Sequence, residues 1–182
     1  MSVRDFDLTY SATNYLQGKG WTLDRSSAQW VDHTKSFKPF PEAERIIRQF
    51  GGLVFTEPNR GEVIYMSMPP GDNRNIVRAV NESMHLIEKD LFPFGYMEYS
   101  EVDILVVDAE GVVYIINLDE SEPGWCSADV RPFAACFDDV LNYYITLPKE
   151  RVNFERLAAG LKQLGLYRRE WRAGPWKSEN NG

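Results

Sequence analysis

The sequence predicts an α+β fold, a mostly antiparallel sheet flanked by helices, and three features carry that expectation. The first is the stretch 41–55. Ala43, Ile46, Ile47 and Phe50 recur at the spacing of a helix buried on one face, and Gly51-Gly52 then leads into the apolar run Leu53-Val54-Phe55. Glycine readily supplies the positive φ that ends a helix and lets a strand start at once. The second is a pair of β-branched runs, Ile104–Val107 and Val112–Ile116, joined by Asp108-Ala109-Glu110-Gly111. A type I turn closed by a left-handed glycine is ordinary chemistry for such a hairpin. The third is the scatter of helical stripes before, between and after the strands, which fits α+β better than a doubly wound sheet.

The remaining elements follow in order. Ser11 is placed to cap a short helix through Leu16, stopped by Gly18 and Gly20. Residues 26–40 read as irregular or weakly extended, with Trp30 and Phe37 as core anchors. Pro41 suits the first turn of the next helix, where a missing N–H costs nothing. Val63–Met68 is rich in strand formers between Gly61 and Pro69-Pro70-Gly71. Ile76, Val80, Met84, Ile87 and Leu91 predict a helix over 74–91, capped by Asp72 or Asn73. Leu118–Trp125 reads as a polar loop unsuited to a strand interior. Ala134, Phe137, Val140, Leu141 and Tyr144 mark a helix broken by Pro148. Phe154, Leu157, Ala158, Leu161 and Leu164 mark a last one, and 174–182 has the polarity of a frayed tail.

Gly20-Trp21 at the end of the first helix, Arg25 four residues on, and the Phe50-Gly51-Gly52-Leu53 closure resemble the third immunity branch of the SUKH superfamily. Leu91-Phe92-Pro93-Phe94-Gly95 is similar to that family's aromatic-Pro-aliphatic-Gly step, and Val106–Tyr114 to its central hairpin. The resemblance covers about residues 10–147 and implies one SUKH-like domain over 1–148. Residues 149–182 then form a C-terminal helix and tail, docked on the same domain through Leu157, Leu161 and Leu164. The motif residues Gly20, Trp21, Arg25, Phe50, Gly51, Gly52 and Leu53 are expected to be architectural. Trp21 would pack in the core, while Arg25 would serve either a structural ion pair or a contact.

Composition excludes several classes. With 182 residues, 43% of them hydrophobic and 13% aromatic, the chain can bury one sizeable core. No apolar run approaches the roughly 18 residues of a membrane span. Met1–Asp7 lacks the apolar segment of a secretory signal. With Cys126 and Cys136 as the only cysteines, a cytoplasmic protein with reduced thiols is the expectation, and the resemblance implies a bacterial one. The chain has no phosphate loop, dinucleotide fingerprint, zincin helix or nucleophile elbow. Two cysteines and the distant His33 and His85 do not make a zinc site. Cys136 among Ala134, Ala135 and Phe137 reads as an inert buried thiol. Asp119, Glu120 and Glu122 do not match a calcium loop. Asp138 and Asp139, adjacent on a helix, diverge by about 100° and cannot share a proton. No cofactor, no metal and no catalysis are expected.

The net charge of −7 is uneven. Residues 98–139 hold eleven acidic side chains against Arg131 alone, whereas 140–182 hold eight basic and four acidic. A concentrated negative field steers a basic partner inward and repels nucleic acid. The resemblance implies an immunity protein that binds a cognate toxin domain, a nuclease or nucleic-acid deaminase, and occludes its basic cleft without chemistry of its own. On that reading Glu98, Glu101, Asp119, Glu120, Glu122, Trp125 and Asp129 form the contact, with Trp125 as aromatic anchor. Neither nucleic acid nor membrane is a partner, and the chain is a monomer or weak dimer. An adaptor or regulatory scaffold of the same superfamily is the alternative. A third reading gives the basic end, Arg168–Arg172 with Trp176, to nucleic acid, against the acidic total.

Overall fold

The computed structural model describes residues 6–26, 36–56, 62–69, 73–98, 102–122, 125–145 and 151–167, without the side chains of 119–128 and 151–152. Six antiparallel strands run in sequence order across one sheet: β1 (Val54–Thr56), β2 (Val63–Tyr65), β3 (Leu91–Glu98), β4 (Val102–Asp108), β5 (Val113–Glu122) and β6 (Trp125–Ala134). Helices α1 (Tyr10–Gly18), α2 (Pro41–Phe50), α3 (Arg74–Ile87), α4 (Phe137–Val140) and α5 (Arg151–Gln163) accompany it, with a π-helical turn at Leu141–Ile145. The fold is α+β.

Alternation along the central strands divides the core in two. Leu105, Val107, Val113 and Ile115 face a layer built from α1, α2, α4 and the π turn, with Trp21, Phe50, Phe92, Phe94, Phe133 and Phe137 in it. Ile104, Val106, Tyr114 and Ile116 face the other way, onto Ile76, Ala79 and Val80 of α3. Burial on both faces explains why 104–107 and 112–116 are continuous apolar runs. Each fully buried aliphatic or Phe side chain contributes about 1.5–3 kcal/mol.

The junction between α2 and β1 is a type II turn. Gly51 lies at φ −49° and ψ 130°, Gly52 at φ +79°, and the Leu53 N–H donates to the Phe50 carbonyl at 3.0 Å. Gly52 also donates to the Met66 carbonyl at 2.8 Å, and Met66 donates to the Leu53 carbonyl at 2.9 Å. The turn therefore prolongs the β1–β2 pairing, and β2 stops at Tyr65 rather than reaching Met68. The end of α1 is clamped onto this turn. Its last carbonyls are closed by Gly20 N–H to Gln17 and Trp21 N–H to Leu16, each at 3.0 Å. That closure lays the Trp21 indole flat on the Phe50 ring, 5.9 Å between centroids and 2° between planes. It also brings the Arg25 guanidinium to the Gly51 carbonyl at 2.7 Å.

In β3, the register on β4 shifts between Pro93 and Gly95. The bulge accommodates a proline within a central strand, where it would otherwise break the ladder. At Gly95 a Cβ would stand 2.6 Å from the Tyr65 carbonyl oxygen, so only glycine lets β2 and β3 approach there. At the hairpin, Gly111 (φ +92°) donates to Asp108 at 3.1 Å, and Asp108 N–H donates to Val112 at 3.0 Å. This is the turn chemistry the sequence predicts.

Several boundaries differ from the sequence reading. Thr9, not Ser11, caps α1, accepting from the Ala12 N–H at 3.2 Å. Asn73 occupies the cap position of α3 without a side-chain bond. That helix ends at Ile87 with Glu88 in the left-handed region, and Leu91 opens β3 opposite Asp108. Leu91 satisfies helical spacing and strand pairing equally, and the ladder decides. The stretch 118–125 is not a loop: β5 continues to Glu122 and β6 begins at Trp125. β4 ends its pairing with β5 at Asp103↔Asn117, so the outer part of the hairpin is a two-stranded ribbon. Backbone pairing, not an apolar pattern, makes this stretch a strand. Ala134 closes β6 instead of opening a helix. Leu164 lies beyond α5 and is 50% exposed, while Leu157 and Leu161 are buried. Trp30 lies outside the described residues. Phe37 is half-buried against both halves of the core.

The N-terminal strap was illegible in the sequence. Phe6 meets the Phe50 ring edge-on at 4.9 Å, and the Arg45 guanidinium lies 3.6 Å above Phe6. Asp7 N–H donates to Asp138 at 2.9 Å, and Asn142 brackets the strap through Thr9 N–H and the Asp7 carbonyl, each at 2.8 Å.

Gly95→Ala is expected to lower stability by about 1–3 kcal/mol through overpacking, and Gly52→Ala by about 1–2 kcal/mol through left-handed strain. Each should drop the melting temperature by several degrees, read by circular dichroism. An unchanged melting temperature in either variant would contradict the close approach or the turn, respectively.

Candidate interaction surface

The register gathers charge at one end of the sheet. Glu98 closes β3, paired with Val102 and Val63, and Asp103, Asn117 and Asp129 lie side by side on β4, β5 and β6. Beyond that row, β5 carries Asp119, Glu120 and Glu122, opposite Ser127 and Trp125 of β6. Six of the seven predicted contact positions thus fall at this end. The side chains of Asp119, Glu120, Glu122 and Trp125 lie outside the described residues, as does Glu101 altogether. Glu98 is exposed. Asp129, with 63% of its side chain exposed, pairs with Arg131 at 3.1 Å. Asn117 donates to Asp103 at 2.8 Å, an amide bridging into the acidic row.

The other acidic residues of 98–139 do not belong to that field. Asp108 and Glu110 sit at the opposite end, in the β4–β5 turn, where Lys89 reaches both at 2.5 and 2.8 Å. Asp108 is buried and also accepts from Val112 N–H at 2.8 Å and from the Tyr114 hydroxyl at 3.1 Å. Asp138 is held by Arg45 and the strap. Asp139 is half-buried beside Gly160 and Cys136; burial, opposed by the Cys136 hydrogen bond, raises its carboxyl above the usual range. So the acidic stretch divides into a group around the β4–β5 turn and α4, held by Lys89, Arg45 and the strap, and a group at the opposite end of the sheet. Spacing along the chain could not separate them, because the hairpin folds the two halves to opposite ends.

Lys89 lies on the charged side of its titration far above neutral pH: burial works against its charge, and bonds from Asp108 and Glu110 outweigh that. Burial first, then the Asp108 charge, pushes Tyr114 up to about 12.

Little in the described residues suggests chemistry. Burial pushes the Cys136 thiol up to about 11, so it is protonated and a poor nucleophile at neutral pH. His85 is exposed on the last turn of α3. Among the described residues no group of three or more His, Cys, Asp or Glu is placed to hold a metal, and no helix is long and apolar enough to cross a membrane. Cys126 and His33 fall outside what is described. In the C-terminal part, Arg156 lies over the Tyr143 ring at 5.3 Å and Lys162 over Tyr167 at 5.0 Å. Neither of these contacts reaches the acidic end.

One surface was missed by sequence reading. Val54 and Thr56 of β1 are exposed, and Val63 and Tyr65 of β2 partly so, on the face opposite Phe55 and Ile64. Tyr65 stacks on Tyr96 at 4.5 Å and 9°, and Glu98 lies on the same face of β3. Burial and then the Glu98 charge raise the Tyr65 hydroxyl above its usual value. The alternating exposure of short strands was the available signal, and three residues are too few to read it.

The described residues form an α+β domain that gathers charge at one end of its sheet. A family model described as SUKH-3 immunity protein matches residues 10–133, and the chain belongs to that family. Its role therefore lies, in general terms, in toxin immunity, and such proteins generally act by binding rather than catalysis. No curated protein and no solved structure matches the chain.

Lys89→Met should destabilise the fold by about 1–3 kcal/mol, less than breaking a fully buried pair, because Lys89 is one-third exposed and Val112 and Tyr114 still serve Asp108. The pH dependence has a definite sign. Lys89 and Tyr114 both hold their protons more tightly folded than unfolded, so their contribution is intact below about pH 10 and is lost as pH rises further. Urea titrations from pH 8 to 11.5 should show stability falling at the alkaline end, less steeply in Lys89→Met. Identical slopes would remove Lys89 from the account.

Proposed function

We propose that this protein binds and neutralises one cognate toxin domain, whose basic, nucleic-acid-gripping cleft it occludes with the acidic end of its sheet. The observation that carries this is the strand register, which collects Glu98, Asp103, Asp119, Glu120, Glu122 and Asp129 from four strands at one end. A nuclease or nucleic-acid deaminase must present Lys and Arg to phosphates. A carboxylate array can fill the same groove, and its field accelerates encounter. Glu101 and Trp125 belong to the same proposed contact, with Trp125 as its aromatic anchor. Binding alone accounts for such an activity; no cofactor, metal or nucleic acid takes part. The setting is the bacterial cytoplasm, with a monomer or weak dimer as the acting form. Residues 1–148 form the binding domain and 149–182 an addition docked on it, with α5 packing against β6 and the π turn.

Co-expression with the toxin domain encoded beside this gene should restore growth, and the two should co-purify. Loss of growth despite soluble expression would overturn the reading. In Asp119→Ser/Glu120→Ser/Glu122→Ser the association rate should fall several-fold at low salt and its salt dependence flatten, measured by stopped flow. Kinetics equal to the wild type would remove the ribbon from the interface.

A further inference from the structure

We infer that the uncovered face of β1, β2 and β3 is the centre of the toxin contact, with Tyr65 and Glu98 forming a seat for an arginine side chain. This rests on the immunity reading above and specifies where and how the partner docks.

Two rows of residues make the face. Val54, Tyr65, Tyr96 and Ile104 are consecutive cross-strand neighbours, as are Thr56, Val63, Glu98 and Val102. α3 packs on β3, β5 and β6 and buries the far end of the first row. At the β1 flank, Val54 remains 44% exposed and Thr56 is also exposed. The other side of these same strands is fully engaged: Phe55 and Ile64 are 1% and 2% exposed. A small sheet with one sealed face thus presents aliphatic and aromatic side chains outward on the other.

The chemistry of this face is specific. Tyr65 is braced by Tyr96 on one side, with Glu98 two residues along β3 from Tyr96 on the same face, so the ring has reduced freedom to lose on binding. Glu98 is exposed and borders the acidic end. A tyrosine ring next to a carboxylate suits arginine: the planar guanidinium stacks on the ring while its N–H groups fork to the carboxylate. Lysine can satisfy only the charge. Val54, Val63 and Val102 supply an apolar surround that excludes water from the pair. The charge complementarity selects a basic partner rather than a second copy of this acidic chain.

The test uses the full chain with isotope-labelled valine methyls, titrated with hexa-arginine and, separately, hexalysine. Hexa-arginine should shift Val54, Val63 and Val102 first and bind at least threefold more tightly than hexalysine. Tyr65→Leu should abolish that preference while Glu98→Gln weakens both peptides. Val54→Lys, at an exposed position that leaves the core untouched, should weaken both as well and guards against misfolding of the tyrosine variant. Equal affinities, or shifts confined to other parts of the chain, would overturn the seat. So would concentration-dependent shifts of Val54 without peptide, which would mark self-association. Against the neighbouring toxin, Tyr65→Leu should lose growth rescue that the wild type provides. Full rescue by Tyr65→Leu overturns the docking site and leaves immunity standing, whereas failure of the wild type to rescue overturns immunity itself.

Discussion

The clamp of Trp21 and Arg25 on the Phe50–Leu53 turn holds the two helical segments to the sheet. The indole lies on Phe50, the guanidinium bonds the Gly51 carbonyl, and the turn itself feeds β1 and accepts pairing from Met66. One turn therefore joins the end of α1, the end of α2 and the start of the sheet. Its backbone polar groups are satisfied by Arg25 and Met66, as a buried turn requires. The clamp has a cost. The Trp21 indole N–H and the Arg25 Nε are buried without a hydrogen-bond partner among the described residues, and packing against Phe50 has to outweigh that desolvation. Spacing alone could not tell whether Arg25 served an ion pair or a contact. The structure gives it a backbone carbonyl instead.

From that junction the rest of the molecule is positioned. β1 and β2 are short because the turn occupies the chain on both sides of them, and their brevity leaves one face beyond the reach of α3. The bulge at Pro93 and the close approach at Gly95 let β3 serve both short and long neighbours. On the other flank, β5 and β6 outrun β4 and project as a ribbon carrying the acidic residues. The proposed binding surface is thus a consequence of unequal strand lengths. A sheet trimmed to equal strands would cover the tyrosines and retract the carboxylates.

The two classes of acidic residue illustrate how position, not identity, assigns a role. Asp108 and Asp129 have the same side chain and lie in the same stretch. Asp108 is buried with three donors, and without Lys89 its charge would oppose folding. Asp129 faces water beside Arg131, where a charge costs little and contributes little to stability. Charge of the second kind can be given over to a partner, because the fold does not depend on it.

By itself the sequence determined the fold class, the central hairpin with its Asp108–Gly111 turn, the buried stripe of α2 and membership suggested by the Gly-Trp and Phe-Gly-Gly-Leu motifs. These are set by local periodicity and by backbone chemistry that a few residues dictate. Tertiary structure decided what depends on pairing between distant segments. It ended α3 at Ile87 because Leu91 had a ladder partner, and made 118–122 a strand because 125–129 lay beside it. It also tied Phe6 to Phe50 and Arg45, and left Tyr65 partly exposed. Hydrogen-bond ladders and exposure are properties of neighbours in space, and a linear pattern does not name those neighbours.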